Sequence, residues 1–161
     1  MPNLTITLQE QYTTPGNSNT QTISNTVTIP NINQFVRRVD SINSLSPVGI
    51  VSFVTSNLNR TPGSFISADV KYIRITNLPT SNDSVIIYLI KNNTDSVTLS
   101  INVGKSVILS NTNFNTSNTA YDYVVEGYVD PQYFEDFSTL DQIQAKASSG
   151  TVYLEYVIAS I

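Results

Sequence analysis

Six carboxylates crowd the last third of this chain: Asp122, Glu126, Asp130, Glu135, Asp136 and Asp141. They are half of its 12 acids, and no Lys or Arg interrupts them between Lys105 and Lys146. Oxygen ligands at such density suit a hard cation such as Ca²⁺. Paired carboxylates across a cleft can also hydrolyse a glycosidic bond. The spacing argues against both. It matches no calcium loop, and the patterning puts Asp122 and Glu126 on a strand but Glu135 and Asp136 in a loop. A solvated acidic face is the plainer expectation, followed by a contact patch for a basic partner. Tyr121, Tyr123, Tyr128 and Tyr133 lie among these acids, with Phe134 and Phe137. Such aromatics fill a core, serve a protein interface, where Tyr is enriched, or stack on a sugar. Tyr128, Asp130, Tyr133 and Phe134 are the residues expected to face a partner. No catalytic residue, metal or cofactor is expected.

Gly104-Lys105-Ser106 resembles the end of a phosphate-binding loop. That loop needs a glycine five residues earlier and a helix afterwards. Position 99 is Leu, and the VILS that follows reads as strand. The expectation is a hairpin of 96–103 with 105–110, Gly104 standing where the turn needs permissive backbone angles.

Composition narrows the chemistry further. The chain has no His and no Cys. The commonest general base, the thiol nucleophile and the main transition-metal ligands are therefore missing, and no disulfide can form. Ser, Thr and Asn make up 57 of 161 residues, while only 12% are charged. The 8 basic residues are scattered and the net charge is −4, whereas a nucleic-acid binder clusters Lys and Arg against phosphates. This is the profile of a scaffold or binding surface, not of an enzyme. The N-terminal MPNLTITLQEQ lacks the basic and apolar regions of a signal peptide. The longest apolar runs, such as VIIYLI at 85–90, fall far short of the ~20 residues of a membrane helix. Five Asn-X-Ser/Thr triplets, at Asn3, Asn59, Asn82, Asn92 and Asn115, are expected by chance in a chain so rich in these residues.

The elements that must position these residues read as strands. Leu4, Ile6 and Leu8 alternate with polar residues, giving one half-buried strand. Residues 9–26 carry only Tyr12 and Ile23 as large apolar groups, so a long loop or arm is expected there. Val27 and Ile29 resume the alternation. Residues 35–43 read as a strand, with a short helix as the alternative. Further strands are expected at 50–56, 69–77, 84–91, 96–103, 105–110, 120–129 and 150–160. Residues 140–148 read as strand or short helix. On the last strand Val152, Leu154, Tyr156 and Ile158 share one face, and Tyr153, Val157 and Ala159 the other. A chain of 161 residues defaults to one domain. The expectation is an all-β fold: an N-terminal strand and polar arm at 1–34, then a single antiparallel β-sandwich at 35–161, Ig-like or jelly-roll-like. The arm can fold back on its own domain or add to a neighbour's sheet edge. Leu4, Ile6 and Leu8 are its candidate contact residues.

The runs DVKYIRITNL at 69–78, SVIIYLI, SVILSN at 106–111, LDQIQAKAS at 140–148 and the closing VYLEYVIAS resemble a group of small tailed-bacteriophage virion proteins. In that group a KYIRITNL-type strand and a final strand pair frame a β-sandwich. The resemblance covers about residues 35–161. It implies a structural component of a virion, built in the host cytoplasm and held by protein contacts. The partners it implies are the major capsid protein or neighbouring copies, in a homo-oligomer, with no nucleic acid and no membrane. A capsid auxiliary or decoration protein comes first, and a neck, tail or fibre component second. A glycan-binding module for host surfaces is the alternative of another class.

Overall fold

The computed structural model describes residues 2–13, 20–91, 95–110 and 137–161. Tyr128, Asp130, Tyr133 and Phe134, the expected strand at 120–129 and all the clustered acids except Asp141 lie outside these residues. The fold is all-β, and its only helical pieces among the described residues are single 3-10 turns at 57–59, 67–69 and 137–139.

Eleven strands follow in chain order among the described residues. They are β1 Leu4–Thr13, β2 Thr20–Ile29, β3 Gln34–Asn43, β4 Val48–Val54, β5 Ser64–Ile66, β6 Val70–Asn77, β7 Val85–Lys91, β8 Asp95–Ile101, β9 Ser106–Ser110, β10 Gln142–Ala147 and β11 Thr151–Ser160. They form a five-stranded sheet in the order β5-β4-β10-β7-β8, a four-stranded sheet in the order β3-β11-β6-β9, and the hairpin β1-β2. Every pairing is antiparallel except the three-residue match of β4 with β5. Both ambiguous segments are strands: β3 takes 34–43 and β10 takes 142–147.

One hydrophobic cluster joins the two larger sheets. Phe53, Ile87, Leu99 and Ile143 come from one sheet, and Ile73, Ile75, Val107, Leu154 and Ile158 from the other. Burial alternates along the strands that feed it, as period-two side chains require. On β6 the alternation changes phase. Val70, Ile73 and Ile75 lie in the main cluster, while Tyr72 lies on the opposite face. A register shift at Ala159/Ser160, where β11 meets the start of β6, accommodates the extra residue.

The N-terminal segment departs from its expected form. Residues 9–13 and 20–26 are not loop; they extend β1 and β2 into ten-residue strands paired from Leu4↔Ile29 to Thr13↔Thr20. Their sequence lacks apolar alternation because solvent bathes residues 9–11 and 22–26 of the hairpin. Backbone ladder bonds and β-branched pairs hold it, such as Thr7 and Thr26, whose hydroxyls are 3.2 Å apart.

The glycine turn is also corrected. β8 and β9 do not pair with each other: β8 joins β7 in one sheet and β9 joins β6 in the other. Gly104, at φ +73°, turns a corner between the sheets. Its N–H donates to Asn77 O at 2.8 Å, and Asn77 N–H donates to Lys105 O at 3.0 Å. The buried Asn77 amide also donates to the carbonyls of Asp83 and Ile101. A tight turn satisfies the same local chemistry in a hairpin or at a corner, so its residues do not tell the two apart.

Candidate functional site

The most specific cluster of polar side chains among the described residues sits on the outer face of the four-stranded sheet, where the hairpin docks. The register places Arg37, Val157 and Arg74 in one row across β3, β11 and β6. Glu155 stands one pleat further along β11 on the same face. Its carboxylate receives both arginines. Arg37 Nε donates to Oε2 at 2.7 Å and Arg37 Nη2 donates to the same oxygen, while Arg74 Nη2 donates to Oε1 at 2.7 Å. Glu155 is buried, but Arg37 keeps 66% of its side chain in solvent and Arg74 39%. Arg74 Nε is buried without a partner. Burial by itself would raise the Glu155 carboxyl; the two guanidiniums outweigh it and hold the group below the usual carboxylate range.

The base of the hairpin covers the neighbouring apolar row. Ile29 and Ile32 pack with Tyr72, Val157 and Ala159 in a second cluster, and Leu4, Ile6 and Ile108 flank it. This explains why β11 is apolar on both faces near its end: one face meets the main core, the other the hairpin. Burial raises the Tyr72 phenol, and the charge of Arg74 offsets part of that rise. A cavity of about 400 Å³ opens between hairpin and sheet, with Thr5, Thr7, Phe35 and both arginines on its wall.

The three arm residues named from sequence are thus brought to one face. Leu4 and Ile6 are half-buried against the sheet, and Leu8, also half-buried, lies beyond the cluster. Tyr128, Asp130, Tyr133 and Phe134 cannot be placed with them, since they fall outside the described residues. Sequence reasoning missed Glu155, Arg37 and Arg74. Their signal was a charged residue inside a strand apolar on both sides, as in YLEYV and YIRIT.

Two further polar contacts tie the strands. Tyr156 Oη donates to Asp40 at 2.6 Å; burial first, and then this bond, push its phenol up to about 12. Asp83 accepts the Ser84 N–H and the Ser148 and Ser149 hydroxyls. These bonds, led by Ser149, hold its carboxyl low and pin the β6–β7 turn to the β10–β11 turn. Among the described residues no three His, Cys, Asp or Glu side chains gather as metal ligands, and no helix is long and apolar enough to cross a membrane. Among the described residues the arrangement offers apolar area, exposed guanidinium groups and, at β3, a strand side with no described neighbour.

Comparison with protein-family models, with curated proteins and with solved structures returned no match.

Proposed function

We propose that this chain is a non-enzymatic structural protein of a bacteriophage virion, first of all a capsid auxiliary or decoration protein, working through protein–protein contact. In this reading the two larger sheets, which share one core, are the layers of a sandwich of Ig or jelly-roll type. The observation that carries the reading is the N-terminal hairpin. Its base is anchored by Leu4, Ile6, Ile29 and Ile32. Its apolar stripe runs on past the anchor to Leu8 and to Ile23, which is 65% exposed. Strands of ten residues reach ~33 Å at ~3.3 Å per residue, and the apolar anchor lies at one end of the hairpin, at Leu4, Ile6 and Ile29. A half-docked arm that leaves Ile23 exposed suits attachment to a neighbour. The strand-and-turn resemblance to small tailed-phage virion proteins supports the same reading. On a repetitive particle, many weak contacts of this kind add up through multivalency. A neck, tail or fibre position uses the same features and is the second choice.

The test is the position and occupancy of the protein on purified particles, read by mass spectrometry and electron microscopy. The paired substitutions Leu8→Asp and Ile23→Asp should lower occupancy by about tenfold, the effect of losing roughly 1.4 kcal/mol of contact, while the fold stays intact. Absence from particles, or occupancy unchanged by the pair, overturns the reading. Specific binding on a glycan array would replace it with host-surface recognition.

A further inference from the structure

β3 is an edge. β11 pairs along its whole length on one side, and no described strand lies on the other. Ser44 N–H donates to Gly150 O at 3.1 Å, and on the far side of β11 Leu78 N–H donates to Tyr153 O at 2.9 Å. Hydrogen-bonded pairs alternate along an antiparallel ladder. The even-numbered residues of β3 therefore bond to β11, while Phe35, Arg37, Val39 and Ser41 turn their N–H and C=O groups to the open side. Phe35 is 56% and Val39 52% exposed. A long open edge with exposed apolar side chains invites another strand.

Charge decides which strand it accepts. Three of the chain's four arginines stand at this edge, and the fourth, Arg74 on β6, is linked to it through Glu155. Arg37 and Arg38 belong to β3 itself. Arg60 donates to Gln34 Oε1 at 3.1 Å, and Arg74 shares Glu155 with Arg37. The carboxylates bonded within this cluster are Glu155 and Asp40. Among the described residues the edge therefore carries a positive surplus, on a chain whose net charge is −4. Because side chains alternate across a strand, Arg37 reaches the outer face while Arg38 shares the other face with Gln34 and Asp40. A second copy of β3 paired with Arg37 opposite Arg37 would set like charges against each other, which is unfavourable for facing pairs. An acidic strand would meet a guanidinium on either face.

We propose that β3 is the docking edge for an extended acidic segment of a partner protein, added as a fifth strand by main-chain pairing and selected by Arg37, Arg38 and Arg60. Main-chain bonds supply affinity along the open edge, and alternate carboxylates supply specificity through charge-assisted bonds. The proposal rests on the reading of this chain as a protein-contact component. It is tested separately from the particle experiment because it needs only the purified protein and a synthetic peptide.

The probe is a fluorescent peptide of about nine residues, matching the length of the edge, that alternates Asp with Val. Binding is read by anisotropy and by backbone amide shifts. The expected result is saturable binding with the largest shifts on β3. Binding should weaken by about tenfold with Asn in place of each Asp, and by a similar factor in Arg60→Glu and Arg38→Gln proteins. N-methylation of the peptide on the pairing side should abolish binding. Arg60 lies on the surface, so Arg60→Glu keeps the test open if Arg37→Gln weakens the fold through Glu155. Absence of binding up to about 1 mM, shifts away from β3, or full binding by the N-methylated peptide overturns the proposal.

Discussion

Replacing Glu155 by Gln keeps the shape of the side chain and removes the negative charge that Arg37 and Arg74 share. Three charge-assisted bonds converge on this carboxylate. Hydrogen bonds to charged groups contribute roughly 1.5–3 kcal/mol each when shielded, but exposed ion pairs contribute only about 0.2–1 kcal/mol. Arg37, 66% exposed, belongs near the lower range; Arg74, 39% exposed with a buried Nε, lies between the two. Gln retains one acceptor oxygen and turns an NH₂ group towards a guanidinium. The expected loss is about 2 kcal/mol at pH 7, or roughly 4–8 °C in melting temperature for a domain of this size. Urea denaturation of the two proteins across pH provides the assay. The folded carboxyl titrates below its ordinary 4.5. The triad's contribution is therefore complete above about pH 4.5 and is lost as pH falls through the lower folded value. The wild-type and Glu155→Gln curves should converge in acid. A difference under about 0.5 kcal/mol at pH 7, or a gap as wide in acid as at neutrality, would refute the assignment.

Three other substitutions probe separate parts of the molecule. Gly104→Ala meets nothing closer than Pro79 Cγ at 3.9 Å, so its cost is conformational; at φ +73° about 1 kcal/mol of destabilisation is expected in urea, and a gain in stability would contradict the left-handed corner. Ile29→Ala, at a residue 1% exposed beneath the hairpin, should cost about 2–5 kcal/mol; amides of β1 and β2 should exchange fastest, and an even loss of protection over all strands would count against a separately docked hairpin. Ultraviolet titration should show one tyrosine ionising last, near the value of about 12 for Tyr156. The neutral phenol's contribution to stability is present below pH 10 and lost as pH rises through about 12. Tyr156→Phe should remove that late step, and its persistence would mean another phenol is responsible.

Strand periodicity was legible where a strand has one wet and one dry face. The alternation in 69–77 and 150–160 located β6 and β11, down to the two apolar faces of the last strand. It was illegible in 9–26, because a hairpin held by its own ladder needs no apolar period. Gly104 was correctly placed at a turn with positive φ, yet the partners of the strands it joins were misassigned. The arm residues Leu4, Ile6 and Leu8 were visible as a stripe. Glu155 was not, because an isolated acid in a strand gains meaning only when cations from other strands reach it.

What the sequence by itself determined is local: β-rich patterning, turn positions, a polar and weakly charged surface, and a chain without imidazole or thiol chemistry. These follow from side-chain period and residue type, which act over a few neighbours. Tertiary structure decided which strands share a sheet, and that decision made everything proposed here. β3 and β6 both hydrogen-bond to β11 across separations of more than a hundred and of some eighty residues, bringing Arg37 and Arg74 onto Glu155. The same pairing leaves the other side of β3 open among the described strands. Register over such distances is fixed by burial of whole faces against one another, and no short stretch of residues carries it.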